Sequence, residues 1–385
     1  ANEFEEAVQK KANDANEEVG IGFRISDSTP FANYSPGGAI TFERTGSTSQ
    51  GQIHLKAKGS TSALSLTTAM TIDATSNVFP STGTSTTSTV FGKLAGDDLA
   101  AGAVQNTFIG ENAGHENKLG DYNTAIGYNA FSASYVSDLE DVDCSDNVFI
   151  GAASGSGTWV TAESKQNVAV GSSTMTGAMN NCNFNTVVGY LSGGALTTAD
   201  GNTCIGWSSN KLATDASWNT SMGSYSLFQN RSGLKNVAIG YGTMYGYVET
   251  TNTKGFNTAV GSEAGFYLGV NAERNTFVGS KSGQGVSSTV LVGGDNTCIG
   301  EQSGLLLQGA AHSNTFVGGT AGNTTTIGVE NTLLGFACDA QDADAENQVV
   351  IGNNLTGTKD NAVFIGNDTS HIENDFNSDA TWNHS

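Results

Sequence analysis

Proline is nearly missing from this chain: there are three in 385 residues. Charge is also scarce, at 14% of residues against a usual quarter, and hydrophobic residues stop at 37%. That mixture suits neither a helical bundle nor an α/β enzyme. Basic residues are the scarcest charge, 16 against 37 acidic ones, for a net charge of −21. Such a surface repels phosphate backbones and anionic membrane surfaces, so neither nucleic acid nor a membrane is expected as a partner. No apolar run of about 18 residues is present, so no membrane-inserted helix is expected. Cysteine is limited to Cys144, Cys182, Cys204, Cys298 and Cys338, none spaced as C-x-x-C. They read as small buried hydrophobes or inert loop thiols. His54, His115, His312, His371 and His384 show no metal-ligand spacing. The chain starts with Ala and shows no secretion signal, so a processed product or fragment is expected.

Glycine is abundant, at 50 residues, and Ser, Thr and Asn fill the rest. This suits many short strands joined by tight turns. Internal repetition supports that choice. From residue 106 a five-residue unit recurs: Asn, Thr or Val, apolar, aliphatic, Gly. It opens at Asn106–Gly110 and Asn123–Gly127, passes through Asn202–Gly206, Asn275–Gly279 and Asn314–Gly318, and closes with Gln348–Gly352 and Ala362–Gly366. Of 15 copies, all have Gly at the fifth place and 13 have Asn at the first. The third place is apolar except at Ser221.

Successive copies are mostly 17 or 18 residues apart, too short for a helix pair but sufficient for one coil of a β-solenoid. The expected coil is a strand, a glycine turn, a second short strand and a return loop. Segments such as Glu111–Gly114 supply small residues for close backbone approach. Glycine at the fifth place permits positive φ. Asn at the first place is expected to stack as a ladder and to satisfy turn backbone groups. The second and fourth places share one strand face, and the third points the other way. Both faces are apolar. A solenoid standing alone would put the third-place face in water and make it polar. One face is therefore expected to pack inside the coil and the other against another chain.

Outside the repeats, residues 1–19 read as a short amphipathic helix, the end of a stalk. Residues 20–80 read as a β-hairpin domain, in which Gly38–Arg44 and Gln52–Ala57 alternate across a turn-rich stretch. Residues 81–105 form a linker or first irregular coil, 106–366 the solenoid shaft, and 367–385 an irregular tip.

Two resemblances follow. The Asn-Thr-x-Ile-Gly units over 106–366 resemble the Ser-Val-Ala-Ile-Gly repeats of trimeric autotransporter adhesin heads, which are trimeric parallel β-rolls. The stretch from Gly38 to Phe79, with its Gly-Ala-Ile-Thr-Phe-Glu-Arg and Gln-Ile-His-Leu-Lys-Ala segments, is similar to the hairpin region of tailed-phage fibres that carry a self-cleaving C-terminal chaperone. These residues show no chaperone, as in a mature product, and no membrane anchor or long heptads, as an adhesin would have. The resemblance implies an all-β, elongated, homotrimeric parallel β-roll or β-solenoid fibre of about 15 coils. It also implies a place in a virion tail fibre or outside the cell. Its partners would be other tail or baseplate proteins and a host cell-surface glycan or protein receptor. A bacterial adhesin, a fibre-borne polysaccharide depolymerase and a purely structural filament are the alternatives.

No catalytic residue, metal ligand or cofactor site is nominated, and the chain is not expected to be an enzyme. The acidic clusters Asp138, Glu140, Asp141, Asp143, Asp146 and Asp339, Asp342, Asp344, Glu346 read as solvated loops. The place after the invariant Gly is the candidate for glycan stacking. It holds Tyr128, Tyr190, Trp207, Tyr241 and Phe336, with Tyr225 one step later. The other reading is that these rings fill coil corners or chain contacts. The long return loops around 130–146 and 245–256 are further binding candidates.

Overall fold

The computed structural model describes six strands before residue 88, then residues 88–99, 102–132, 144–158, 163–246, 255–376 and 383–384. The six strands are β1 (Ala7–Gln9), β2 (Glu18–Phe23), β3 (Gly38–Arg44), β4 (Gly51–Ala57), β5 (Thr67–Ile72) and β6 (Val78–Phe79). They pair in chain order as an antiparallel meander. The expected hairpin is β3 with β4, in register from Gly38 opposite Ala57 to Arg44 opposite Gly51. The helix expected over 1–19 is not shown. Ala7–Gln9 is a strand and β2 begins at Glu18, while the rest of that stretch lies outside the described residues.

A parallel β-solenoid of about 15 coils follows. It starts one coil earlier than the repeat was read: β7 (Thr89–Phe91) belongs to Ser88–Gly92, a degenerate copy in which Ser replaces Asn. Strands β8 (Thr107–Ile109) to β20 (Thr332–Leu334) each span only the second to fourth places, and each pairs in parallel with the next coil. The last coils lengthen into β21 (Gln348–Asn353) and β22 (Ala362–Asn367). The tip expected to be irregular carries two more strands. β23 (His371–Asp375) folds back antiparallel on β22, and β24 (Asn383–His384) pairs with β23. This switch to antiparallel pairing ends the stack of coils. Residues 377–382, with Trp382, lie outside the described residues.

The third place points into the coil. Phe108, Ala125, Phe149, Val187, Cys204, Phe277, Phe316 and Phe364 are all fully buried. The second and fourth places point out. This reverses the orientation in which the third place would meet solvent. The expected second strand is also absent. After the glycine the chain runs through turns with positive φ, as at Asn112 (57°) and Gly114 (60°). Hydrogen bonds still cross from coil to coil there: Asn112 N–H donates to the Lys93 carbonyl at 2.9 Å, and Gly114 N–H to that of Ala130 at 2.9 Å. The backbone is thus satisfied around the coil without a second pleated segment.

The invariant glycine has two physical causes. Its φ lies near 135°, as at Gly110 (134°) and Gly127 (136°), a region that side chains rarely adopt. It also stacks on the same glycine one coil on, so that a Cβ at Gly110 would sit 2.5 Å from the Gly127 carbonyl oxygen.

Interior volume is conserved from coil to coil. The third place shares the interior with the residue six positions later. Where the third place is Phe (108, 149, 277, 316), the later residue is Gly (114, 155, 283, 322). A Cβ at Gly155 would lie 2.5 Å from the Phe149 ring. Where the third place is small, the later residue is large: Ala125 with Phe131, Ala169 with Met175, Ser221 with Leu227, Ala238 with Met244. Phe131 then stacks on Phe149 of the next coil at 5.2 Å. Where both are small, as with Cys298 and Gly304, a leucine such as Leu307 fills the gap.

This trade predicts a swap. Phe149→Ala should cost about 3–5 kcal/mol, and Gly155→Phe alone should destabilise through its clash. The double variant recreates the Ala125–Phe131 arrangement and should recover at least half of the loss. Chemical denaturation of the four proteins checks this.

Candidate functional site: an aromatic corner

The turn after the invariant glycine forms one corner of the coil and carries the candidate rings. Because coils stack at the strand spacing of about 4.8 Å, rings at one place in consecutive coils meet each other. Trp207 and Tyr225 lie 4.8 Å apart between centroids, and Tyr225 meets Tyr241 edge-on at 6.3 Å. Three of the nominated residues are thus brought together. Tyr128 and Tyr190 are about as exposed, at 56% and 53%; Tyr190 sits one coil before Trp207 at the same place, and Tyr128 four coils before it. Phe336 is exposed farther along.

Four more rings complete the corner and were missed from sequence. Phe228 stacks on Tyr245 at 5.1 Å with planes 6° apart, and Tyr245 on Phe266 at 5.0 Å and 4°. Tyr267 packs against Phe266 at 4.7 Å. The stack is capped by Lys211, whose Nζ lies 5.7 Å from the Phe228 centroid. Their spacings of 17 and 21 residues match the repeat, which is the signal that would have found them.

Stacked rings present their edges, not their faces, to solvent. Phe228, Tyr245 and Phe266 use their faces on one another. A sugar ring stacks on an aromatic face, so this part of the corner is built for coil-to-coil packing.

A second exposed aromatic column sits at the opposite edge of the strand, at the residue before each Asn. It holds Tyr122, Phe184, Trp218 and Phe256. All four have φ between 58° and 62°, an unusual state for bulky residues that costs on the order of 1–3 kcal/mol each. Inter-coil bonds hold it, such as Trp218 N–H to the Asp200 carbonyl at 2.8 Å. Lys235 Nζ lies 5.2 Å from the Phe256 centroid. Farther along the column, Arg274 donates to both carboxylate oxygens of Asp295, at 2.7 and 2.9 Å, and holds that carboxyl below its usual range.

The residues outside the described set begin after Ser132, Thr158 and Gly246, ten to twelve residues past the Asn of their coil. Most of the two nominated loops, 133–143 and 247–254, lies in that set, as do Asp138, Glu140, Asp141 and Asp143. In the other acidic cluster, Asp339 accepts the N–H groups of Thr324 and Ala340 at 3.0 Å each, while burial pushes its carboxyl up. Among the described residues no three of His, Cys, Asp and Glu converge as a metal site, and no helix is long and apolar enough to cross a membrane. His312 is exposed and bonded to the Ser313 hydroxyl at 3.2 Å.

All five cysteines are buried thiols. Cys204 and Cys298 occupy the third place and point inward. Burial pushes Cys204 up to about 11, against smaller opposing hydrogen bonds from Ser221 and Asn210. Cys182 is pushed up to about 12 by burial and by the nearby Asp200 charge. Burial alone raises Cys298.

No family model, curated protein or solved structure matches the chain.

A thiol pKa raised by burial leaves the thiolate unpopulated below that value. Native protein at pH 8 should therefore be nearly inert to a disulfide reagent. All five thiols should react after unfolding, as read by Ellman titration.

Proposed function

We propose that the chain is the subunit of an extracellular, homotrimeric attachment fibre, of the tail-fibre type, which acts as a scaffold and receptor-binding surface and not as an enzyme. One observation carries this reading: the outward face of the solenoid sheet is uncharged along its whole length. From β8 to β22 every second place is Thr or Val and every fourth is Ile, Val, Leu or Met. Apart from the buried Val363, these side chains are half-buried or exposed, with Ile109, Met222, Ile239, Ile299, Leu334 and Ile365 among the exposed ones. At about 4.8 Å per coil and about 3.3 Å per residue, the stripe is about 70 Å long and, with side-chain breadth, about 10 Å wide, on the order of 700 Å². A standard stable interface takes about 800 Å² from each partner, and an apolar patch larger than a few hundred Å² marks an interaction surface. A net charge of −21 elsewhere keeps such a rod soluble.

A long parallel rod with a sticky face suits axial bundling of identical copies. Attachment to a host glycan or protein would use the surface left outside the bundle. Many weak contacts on several chains add through avidity. Other tail or baseplate proteins would hold the fibre.

Sedimentation should give a particle of three 39.6 kDa chains. Replacing Val188 and Ile205 by Lys on the outward face should reduce it to single chains while circular dichroism still reports β structure. A native particle of one chain would reject the reading. Incubation with host-surface polysaccharides should give binding without new reducing ends. Release of reducing ends would favour a depolymerase instead.

A further inference from the structure

The outward face has two edges, and both carry aromatic rings. The residue before each Asn and the residue after each invariant Gly flank this face at its two ends, the first in a turn with positive φ and the second in the turn that follows the glycine. One edge holds Tyr122, Phe184, Trp218 and Phe256. The other holds Tyr128, Tyr190, Trp207, Tyr241 and, five coils farther on, Phe336, which has Glu330 and Asn347 rather than a ring opposite it; all nine rings are half or more exposed.

The two edges are matched along the rod. Tyr122 and Tyr128 share a coil, as do Phe184 and Tyr190. Trp218 lies one coil beyond Trp207, and Phe256 one coil beyond Tyr241. Trp218 also leans back towards the Trp207 coil, since a Cβ at Gly201 would meet its ring. Each ring on the first edge thus has one on the second edge in its own coil or the coil before. The same two places also hold charges, Asp146, Lys235, Arg274, Asp295 and Glu330 on the first edge and Glu111 and Glu301 on the second, of which Arg274 and Asp295 pair within the chain.

Within one chain the two edges cannot touch. They stand at opposite ends of a segment whose middle three residues are extended and which turns at each end. Matched content on two edges that never meet has a physical use only if the edges of different copies meet. Rotation of the copies about an axis parallel to the rod brings the end of one strand to the start of its neighbour's at the same coil level.

We infer that the aromatic columns are the seams between copies of this chain. Tyr128, Tyr190, Trp207 and Tyr241 of one copy pack on Tyr122, Phe184, Trp218 and Phe256 of the next, with coil levels aligned. This rests on the self-association proposed above and deepens it. It removes these rings from the sugar-stacking role and makes them the elements that fix register. The Thr–aliphatic stripe is nearly uniform along the rod and cannot set register alone. Unevenly spaced rings at coil levels two, five, six to seven and eight to nine can.

A double variant, Phe184→Cys with Tyr190→Cys, tests the seam. The native thiols are buried, so a short bis-maleimide reaches only the introduced ones, and linkage within a chain would leave the band at one-chain mass. The expected result is conversion of most of the protein to a covalent three-chain band. The mismatched pair Phe184→Cys with Tyr128→Cys, three coils out of level, should stay as single chains. A three-chain particle in sedimentation whose matched pair fails to cross-link would overturn the seam and leave the assembly standing. Equal cross-linking of matched and mismatched pairs would also overturn it. A one-chain particle would instead reject the self-association beneath it.

Discussion

Each first-place asparagine bonds simultaneously along the rod and across the coil, and the other features of the solenoid fit around that column. Asn202 donates its side-chain amide to the Asn185 side-chain oxygen at 3.0 Å and to the Ala216 carbonyl at 2.8 Å. Its own side-chain oxygen accepts the backbone N–H of Asn219 at 3.0 Å and the Asn219 amide at 3.1 Å. The pattern runs from Asn106, whose N–H meets the Ser88 hydroxyl, to Gln348, whose N–H meets Asn331. All these side chains are buried. A buried amide left unpaired costs about 1–3 kcal/mol, so the column tolerates no shift of one coil against the next.

That alignment brings the glycines into contact and leaves no room for a Cβ between them. It also fixes the interior cross-section. A coil whose outline is set by ladder and glycine must be filled to the same volume each time, and the exchange of Phe–Gly for Ala–Phe or Ala–Met does so. A second polar column helps. Ser192, Ser209, Ser226, Ser282 and Ser303 donate to third-place carbonyls of the following coil, from Ser192 to Cys204 at 3.2 Å to Ser282 to Cys298 at 2.7 Å. The rod is therefore partly polar inside, and the asparagine and serine columns bond along its axis.

The same stacking governs the outside. Neighbouring coils lie so close that like side chains form columns, whether apolar, aromatic or charged. The functional proposal uses this directly: an uncharged column two side chains wide makes the association face, and matched aromatic columns make its borders. The end of the rod is closed by β23, which changes the pairing from parallel to antiparallel and covers the last coil.

The sequence alone determined the all-β class, the coil count to within the degenerate first coil, the asparagine ladder, the positive φ of the glycine and the β3–β4 hairpin. Each follows from a residue type recurring at a fixed place, and repetition makes local chemistry visible. Tertiary structure decided which strand face lies inside. Alternation says only that two faces differ, and here both are apolar; the inward one is set by where Phe108 and Gly114 share a coil. It also decided that the segment after the glycine is a turn, because its bonds go to the next coil and not to a pleated partner. Finally, it decided that Phe228, Tyr245 and Phe266 stack while Tyr128 and Tyr190 stay apart. Whether two rings meet depends on the coil in which each lies and the corner it occupies, and return loops of unequal length hide that spacing until the coils are stacked.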